Sequence, residues 1–328
     1  MRGDLKSTRR GSAPVKATAS APSVRRSVAS PSYQQTMEDF TGSYGIPYMG
    51  SKNTIAEELI KKLPSADYFV DLFGGGGAMT HAAILSGKYK HFIINDITDS
   101  AKMFVDATKG KFKGKRAWIS RETFFARKDK DPYIRYCWSY GYKGTTYAYS
   151  KEIEPYKRAL HYAIFEKDPK PFAKLKIRIP AKCLQGKTTR DRRLALKHYL
   201  QGIKHKFPAE LQNIENLESL RNLERVQALS GLRADIKVYQ GNYWNVKIPK
   251  NSVIYCDPPY RGTSDYLGMD FDFNKFDNWC RKQKANLFIS EYHMPKDFKC
   301  IFKIQKRCTL AKDNKPLVAT EKLFIPKN

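Results

Sequence analysis

Apolar and polar positions alternate in two distinct ways along this chain of 328 residues. Short apolar runs at 68–73, 91–94, 252–256, 287–290, 300–305 and 322–325, several closing on a polar residue, predict buried strands. With the early units they set the expectation of a sheet of about seven strands. Between them the spacing turns helical. Ile55, Leu59 and Leu63 follow Ser51, read as an N-cap, while residues 78–85 and a stretch around 276–284 read as further helices. Leu211, Ile214, Leu217, Leu220, Leu223, Val226 and Leu229 recur every three residues. On a straight helix that stripe winds around the cylinder, so it predicts a helix buried on several sides or two short helices with a break. Residues 1–40 show no apolar period, and their Ser, Ala, Pro and Arg read as a disordered basic tail.

Candidate chemistry gathers where these runs end. The strand at 252–256 stops at Asp257-Pro258-Pro259-Tyr260. An exocyclic aromatic amine is a poor nucleophile because its lone pair is delocalised into the ring, so alkylating it requires acceptors that hold its hydrogens. The Asp257 carboxylate is one candidate and the Pro258 carbonyl another, Pro259 stiffening the segment without offering a competing N–H. Tyr260 supplies a face for a base taken out of its stack, a contact of roughly 1–3 kcal/mol. Asp257 reads as a positioner rather than a strong base, because the amine proton becomes acidic only after the alkyl group arrives. Taken alone, Asp-Pro-Pro is equally a strand-ending turn.

The run at 68–73, with Asp71 and Phe73, leads directly into Gly74, Gly75, Gly76 and Gly77 and then a helix, a nucleotide-cofactor arrangement. Four consecutive glycines also suit an ordinary flexible turn. The next strand ends in Asn95-Asp96, about twenty residues on, where an acid can accept from both ribose hydroxyls. No phosphate loop of the G-x-x-x-x-G-K-[ST] type is present. An adenosine without phosphates fits these features, and S-adenosyl-L-methionine is one. Upstream, Tyr48 and Lys52 flank the same region; they also read as a core aromatic and a solvated lysine.

Pro47-Tyr48-Met49-Gly50-Ser51-Lys52, the strand with its four glycines, Asn95-Asp96 and Asp257-Pro258-Pro259-Tyr260 together resemble the Dam-type, alpha-group adenine-N6 DNA methyltransferases, over about residues 44–326. The resemblance implies a doubly wound, mostly parallel, Rossmann-like α/β methyltransferase sheet with an antiparallel last strand. It implies a catalytic domain of residues 41–110 and 236–328 interrupted by a basic, mainly helical target-recognition region at 111–235. Tyr48, Lys52, Asp96 and Asp257 would contact S-adenosyl-L-methionine, with Asp71, Phe73 and the glycines from Gly74 shaping its pocket. Asp257, Pro258, Pro259 and Tyr260 would hold an adenine flipped from duplex DNA, the methyl moving directly, without a covalent enzyme intermediate or metal. Ser290-Glu291-Tyr292 closes a strand where the family has a polar end. Cys256, within the strand, reads as packing.

Charge strengthens the nucleic-acid reading. The formal net charge is +28, and residues 101–240 hold 32 Lys and Arg against 14 Asp and Glu. Tyr133, Tyr136, Trp138, Tyr140, Tyr142, Tyr147 and Tyr149 are interleaved with Arg135 and Lys143, a pattern that suits base stacking or, equally, a β-hairpin with paired aromatics. Arg190, Arg192, Arg193 and Lys197 on a helix beginning at Thr188 are candidate phosphate contacts. The six cysteines show no zinc-like spacing and read as reduced thiols. No stretch is long and apolar enough to cross a membrane, so the expected setting is cytoplasmic and the expected state monomeric, with a restriction endonuclease as a conceivable companion. Two rival readings use the same residues: an RNA adenine methyltransferase, and a DNA-binding protein without catalysis.

Overall fold

The computed structural model describes residues 43–206, 217–262, 271–308 and 317–327. The tail at 1–40 and the stripe positions Leu211 and Ile214 lie outside them. Seven strands form one sheet: β1 (Tyr68–Asp71), β2 (His91–Asp96), β3 (Asp235–Gln240), β4 (Ser252–Cys256), β5 (Asn286–Glu291), β6 (Phe298–Cys308) and β7 (Leu317–Pro326), in the order β3-β2-β1-β4-β5-β7-β6. β1 to β5 are parallel, while β7 runs antiparallel to both β5 and β6, as expected of the last strand. β3 is the strand that the sequence did not mark. Its residues alternate between exposed and half-buried at the sheet edge and give no continuous apolar run.

Alternation along the central strands covers both faces. Phe69, Phe92, Val253 and Tyr255 face α1 (Ala56–Lys62) and α2 (Ala78–Ser86), whereas Val70, Ile93, Ile254 and Cys256 face the opposite side. One helix start differs from expectation. Helix α1 starts at Ala56 with Ile55 at its cap, and no side chain caps it, so Ser51 does not fill that role. The backbone turns first, Ile55 N–H donating to the Lys52 carbonyl at 2.9 Å.

The next helices are α3 (Ser100–Thr108), α4 (Arg121–Arg127), α5 (Pro132–Cys137), α6 (Glu154–Phe165), α7 (Lys170–Lys174), α8 (Thr189–Gly202) and α9 (Glu218–Ala228). The last, α10 (Phe273–Arg281), packs on the Val70 and Ile254 face of the sheet. The interposed helices do not build a core of their own. Their buried residues form one cluster with Ile46, Ile94 and Phe104, so the region is packed onto α3 and the sheet. Leu217 at the cap of α9, Leu220, Leu223 and Val226 within it and the following Leu229 are all buried, and a short 3₁₀ turn at Leu229–Gly231 ends the helix. At 133–149 a helix and a loop pinned by a single bridge, Ser139 to Tyr147, replace the alternatives of stacking strip and hairpin. Tyr133, Tyr136, Trp138, Tyr147 and Tyr149 are core residues, and only Tyr140 among the aromatics named there is widely exposed, at 68%.

Gly77 opens α2 at a φ of +73°, and a Cβ there would lie 2.4 Å from the Phe104 ring. Gly77→Ala adds left-handed strain to a collision with a rigid core ring. It is expected to lower stability by about 2–4 kcal/mol, read as the shift of the urea unfolding midpoint at constant slope.

Candidate functional site

Strand order reverses between β1 and β4, since β2 and β3 extend one way and β5 the other. A crevice opens at the carboxyl ends of such strands because connections leave in opposite directions. There the structure has a cavity of about 1420 Å³, lined by the end of β1 with its glycine turn, the end of β2, the loop after β3 and the segment after β4. The predicted residues Tyr48, Lys52, Asp71, Phe73, Gly74, Gly75, Gly76, Asp96, Asp257, Pro258, Pro259 and Tyr260 all line it, although they are scattered over more than 200 positions.

The glycine turn is tied to β2. Gly74 N–H donates to the Asn95 carbonyl and Gly75 N–H to Asp96 Oδ2, both at 2.8 Å. Gly75 has a φ of +47°, and a Cβ on it would meet the Tyr48 ring at 2.7 Å, so only glycine brings the backbone this close. Asp96 also accepts from the Thr98 N–H and hydroxyl at Oδ1. Burial nonetheless raises its pKa. Asp71 is 1% exposed, and its Oδ2 accepts from the Thr80 hydroxyl at 2.8 Å while Oδ1 has no partner. Burial, reinforced by the Asp257 and Asp96 charges, pushes its carboxyl up to about 7. An orphaned buried carboxylate oxygen on a cavity wall is suited to a cationic ligand group.

At the catalytic candidate, Lys52 Nζ lies 2.6 Å from both oxygens of Asp257 and 3.8 Å from Glu321 Oε1. Lys52 is 4% exposed, so the reading of it as a solvated lysine does not hold. Burial disfavours its charge, but the Asp257 and Glu321 carboxylates more than offset this and raise its pKa. The Tyr260 hydroxyl donates to Glu321, and its ring lies 4.8 Å from Lys52 Nζ and edge-on to Tyr292 at 4.5 Å. Glu291 accepts the Arg261 and Tyr292 N–H groups, anchoring the chain beyond Tyr260 rather than facing a ligand. Cys256 is fully buried in the sheet core, with burial driving its thiol pKa well above the ordinary value.

Other cavity residues escaped the sequence reading. Asn242, Tyr243 and Trp244 follow unmarked β3, Lys275 Nζ stands 3.6 Å over the Trp244 ring, and Phe271 packs with Tyr243 on Phe73. Glu321 was hidden in the terminal strand, where Thr320 and Lys322 flank it just before the apolar run and nothing in the sequence marks it as buried. Of the six nucleic-acid candidates, Tyr140 and Lys143 border the cavity. Arg135 donates to Asp99 and to the carbonyls of Lys128 and Asp129. Arg192 is 5% exposed, and its donors are taken by the carbonyls of Ile164, Gly186 and Lys187. Arg193 pairs with Glu224 at 2.5 Å on the half-exposed side of α8, where Arg190 also lies. Half-buried Arg135 and buried Arg192 therefore spend guanidinium donors within the fold. Among the described residues no group of His, Cys, Asp and Glu could hold a metal ion, and no helix is long and apolar enough to cross a membrane.

Comparison with protein families gives a match over residues 48–286 to the family described as D12 class N6 adenine-specific DNA methyltransferase. Comparison with curated proteins gives no match.

Two outcomes follow from this geometry. Arg192→Met leaves three carbonyls without their donor and is expected to remove about 3 kcal/mol of stability. The salt dependence of binding to duplex DNA should stay within about one charge of wild type, since no phosphate contact is lost. Asp71 has a folded pKa raised from 3.8 to about 7, so its burial costs nothing below the unfolded value and the penalty grows as pH rises from there until it is complete above about 7. Asp71→Asn should therefore gain most thermal stability relative to wild type at pH 8, less at about pH 5 and little or none below about pH 4, measured by paired melting curves.

Proposed function

The chain belongs to the D12 class N6 adenine-specific DNA methyltransferases, and we propose that the cavity takes S-adenosyl-L-methionine together with an adenine turned out of duplex DNA. The observation that carries this is the convergence, at one switch point, of an orphaned Asp71 oxygen, the Asp96 carboxylate, and Asp257 with its buried lysine. When bound, S-adenosyl-L-methionine supplies a methyl group on a positively charged sulfur. Asp71 Oδ1 suits its ammonium group, and Asp96 retains acceptor capacity for ribose hydroxyls beside the Gly75 turn. Phe73, Tyr243 and Phe271 offer aromatic surface for its adenine ring, with the Asn242 amide in the same wall.

The target base enters at the other end. The Lys52 ammonium holds the Asp257 side chain in place, and that side chain together with the Pro258 carbonyl takes the two amine hydrogens and localises the nitrogen lone pair. Tyr260 gives the base a face to lie against. The amine proton is lost only after transfer, so in-line displacement needs positioning more than basicity. At the mouth Tyr140 and Lys143 reach toward the duplex, and Arg190 and Arg193 on α8 extend the basic surface. We place Arg135 and Arg192 outside this contact set because their donors serve the backbone and Asp99.

The test is transfer of labelled methyl from S-adenosyl-L-methionine to mixed-sequence duplex DNA, single-stranded DNA and RNA, followed by nucleoside analysis. N6-methyladenine in duplex DNA is expected, with Asp257→Ala slower by about 100-fold or more. Label confined to RNA would shift the substrate, and tight DNA binding with no label in any arm would make this a binding protein.

A further inference from the structure

We infer that Glu321, on β7 and beyond the span of the family match, is a positioning residue of the active site that fixes the Tyr260 ring and the Lys52 ammonium against Asp257. The inference rests on the reading of Asp257 and Tyr260 given above and adds to it a residue and a task. Glu321 is 1% exposed on a strand otherwise built for packing, and it shares a sheet face with Leu323 and Tyr255. A carboxylate is retained in such a place only if its oxygens are used. Here Oε1 accepts from the Tyr260 hydroxyl and faces Lys52 Nζ at 3.8 Å, so one atom touches both groups that frame Asp257.

Two consequences follow for the reaction. The phenol of a stacking tyrosine is tethered at its far end, and with Tyr292 edge-on at 4.5 Å the ring has one orientation to offer a base. Lys52 by itself would neutralise Asp257. With Glu321 as a second carboxylate, the cluster keeps one net negative charge where the methylated amine becomes positive. Other ionisable neighbours are Tyr292, which faces Lys52, and Tyr255, whose hydroxyl is bonded to Ser290. Asp71 and Asp96 stand farther along the cavity wall.

The experiment compares Glu321→Ala, Glu321→Gln, Tyr260→Phe and the Glu321→Ala/Tyr260→Phe double variant with wild type in the full chain. Single-turnover methyl transfer is measured at saturating duplex DNA, and S-adenosylhomocysteine affinity by calorimetry. Glu321→Ala is expected to slow transfer about 10- to 100-fold. S-adenosylhomocysteine affinity should move less than about threefold, because the tether lies on the base side of the cavity. Glu321→Gln keeps the shape and an acceptor for the phenol and should recover part of the loss. The double variant should be no more than about threefold slower than the slower single variant, since both remove one contact. Transfer by Glu321→Ala within about threefold of wild type, or losses that multiply in the double variant, would overturn the assignment. If wild type itself moves no methyl to adenine, the functional reading fails and the tether is judged separately. The ¹³Cζ resonance of Tyr260, identified by its disappearance in Tyr260→Phe, should then shift in Glu321→Gln; an unmoved resonance refutes the contact.

Discussion

The ion pair between buried Lys52 and half-buried Asp257 joins residues 205 positions apart and closes the functional end of the sheet. Taking both charges out of water is expensive, and in a low-dielectric setting only close geometry and further polar partners offset the loss. Both are present: Nζ meets the two carboxylate oxygens at 2.6 Å, and Glu321 stands behind it. The pair requires the segment before α1 to lie across the carboxyl ends of β1 and β4, the point where strand order reverses. Sheet topology thus creates the crevice, and the ion pair fixes which residues roof it.

A second set of contacts carries the interposed helices to the same place. Arg225 on α9 donates from Nε to the Gly45 carbonyl at 2.7 Å and also to the carbonyl of Tyr44. Burial lowers its pKa to about 10, still far above neutrality, so it stays charged. Gly45 N–H in turn donates to His81 Nδ1 at 3.0 Å, and Ile46 N–H donates to the Gly76 carbonyl at 2.8 Å. His81 is held neutral, its pKa driven down to about 3 by burial and by Arg225, which leaves Nδ1 free to accept. The segment before Lys52 is therefore clamped between the helical region and the glycine turn.

Much of this was legible because the informative positions obey local rules. A buried parallel strand reads as an apolar run, and its last residue marks the functional edge, which is why Asp71, Asp96 and Asp257 could be found before any coordinates. Edge strand β3 broke that rule by alternating, and Asn242 to Trp244 went unmarked with it. Basic residues were the least legible. Arg190, Arg192 and Arg193 are neighbours in sequence, yet only Arg192 turns inward to three carbonyls, because α8 presents a different face every 100° or so. Charge counting registers a cation without its orientation. The aromatic segment from Tyr133 to Tyr149 posed the same problem, since a ring available for stacking and a ring filling a core are identical in composition.

The charge pattern resolves into two opposed fields. The chain carries +28 overall, and 32 of its basic residues fall between positions 101 and 240. The cavity lining is mixed, with Asp71, Asp96, Asp257, Asp272 and Glu321 beside Lys52, Lys143, Arg225 and Lys275, and its acids sit at the strand ends and on β7. At physiological ionic strength a charge is screened over about 8 Å, so phosphates at the surface respond to the basic exterior with little sensitivity to acids at the strand ends. Inside, where screening is weak, the carboxylates favour cationic groups. One polypeptide can thereby attract a polyanion and a cation without either competing for the other's site. The separation is strongest at the strand ends, because Lys52 there is consumed by carboxylates and Arg225 by backbone carbonyls, while Lys275 stands over the Trp244 ring.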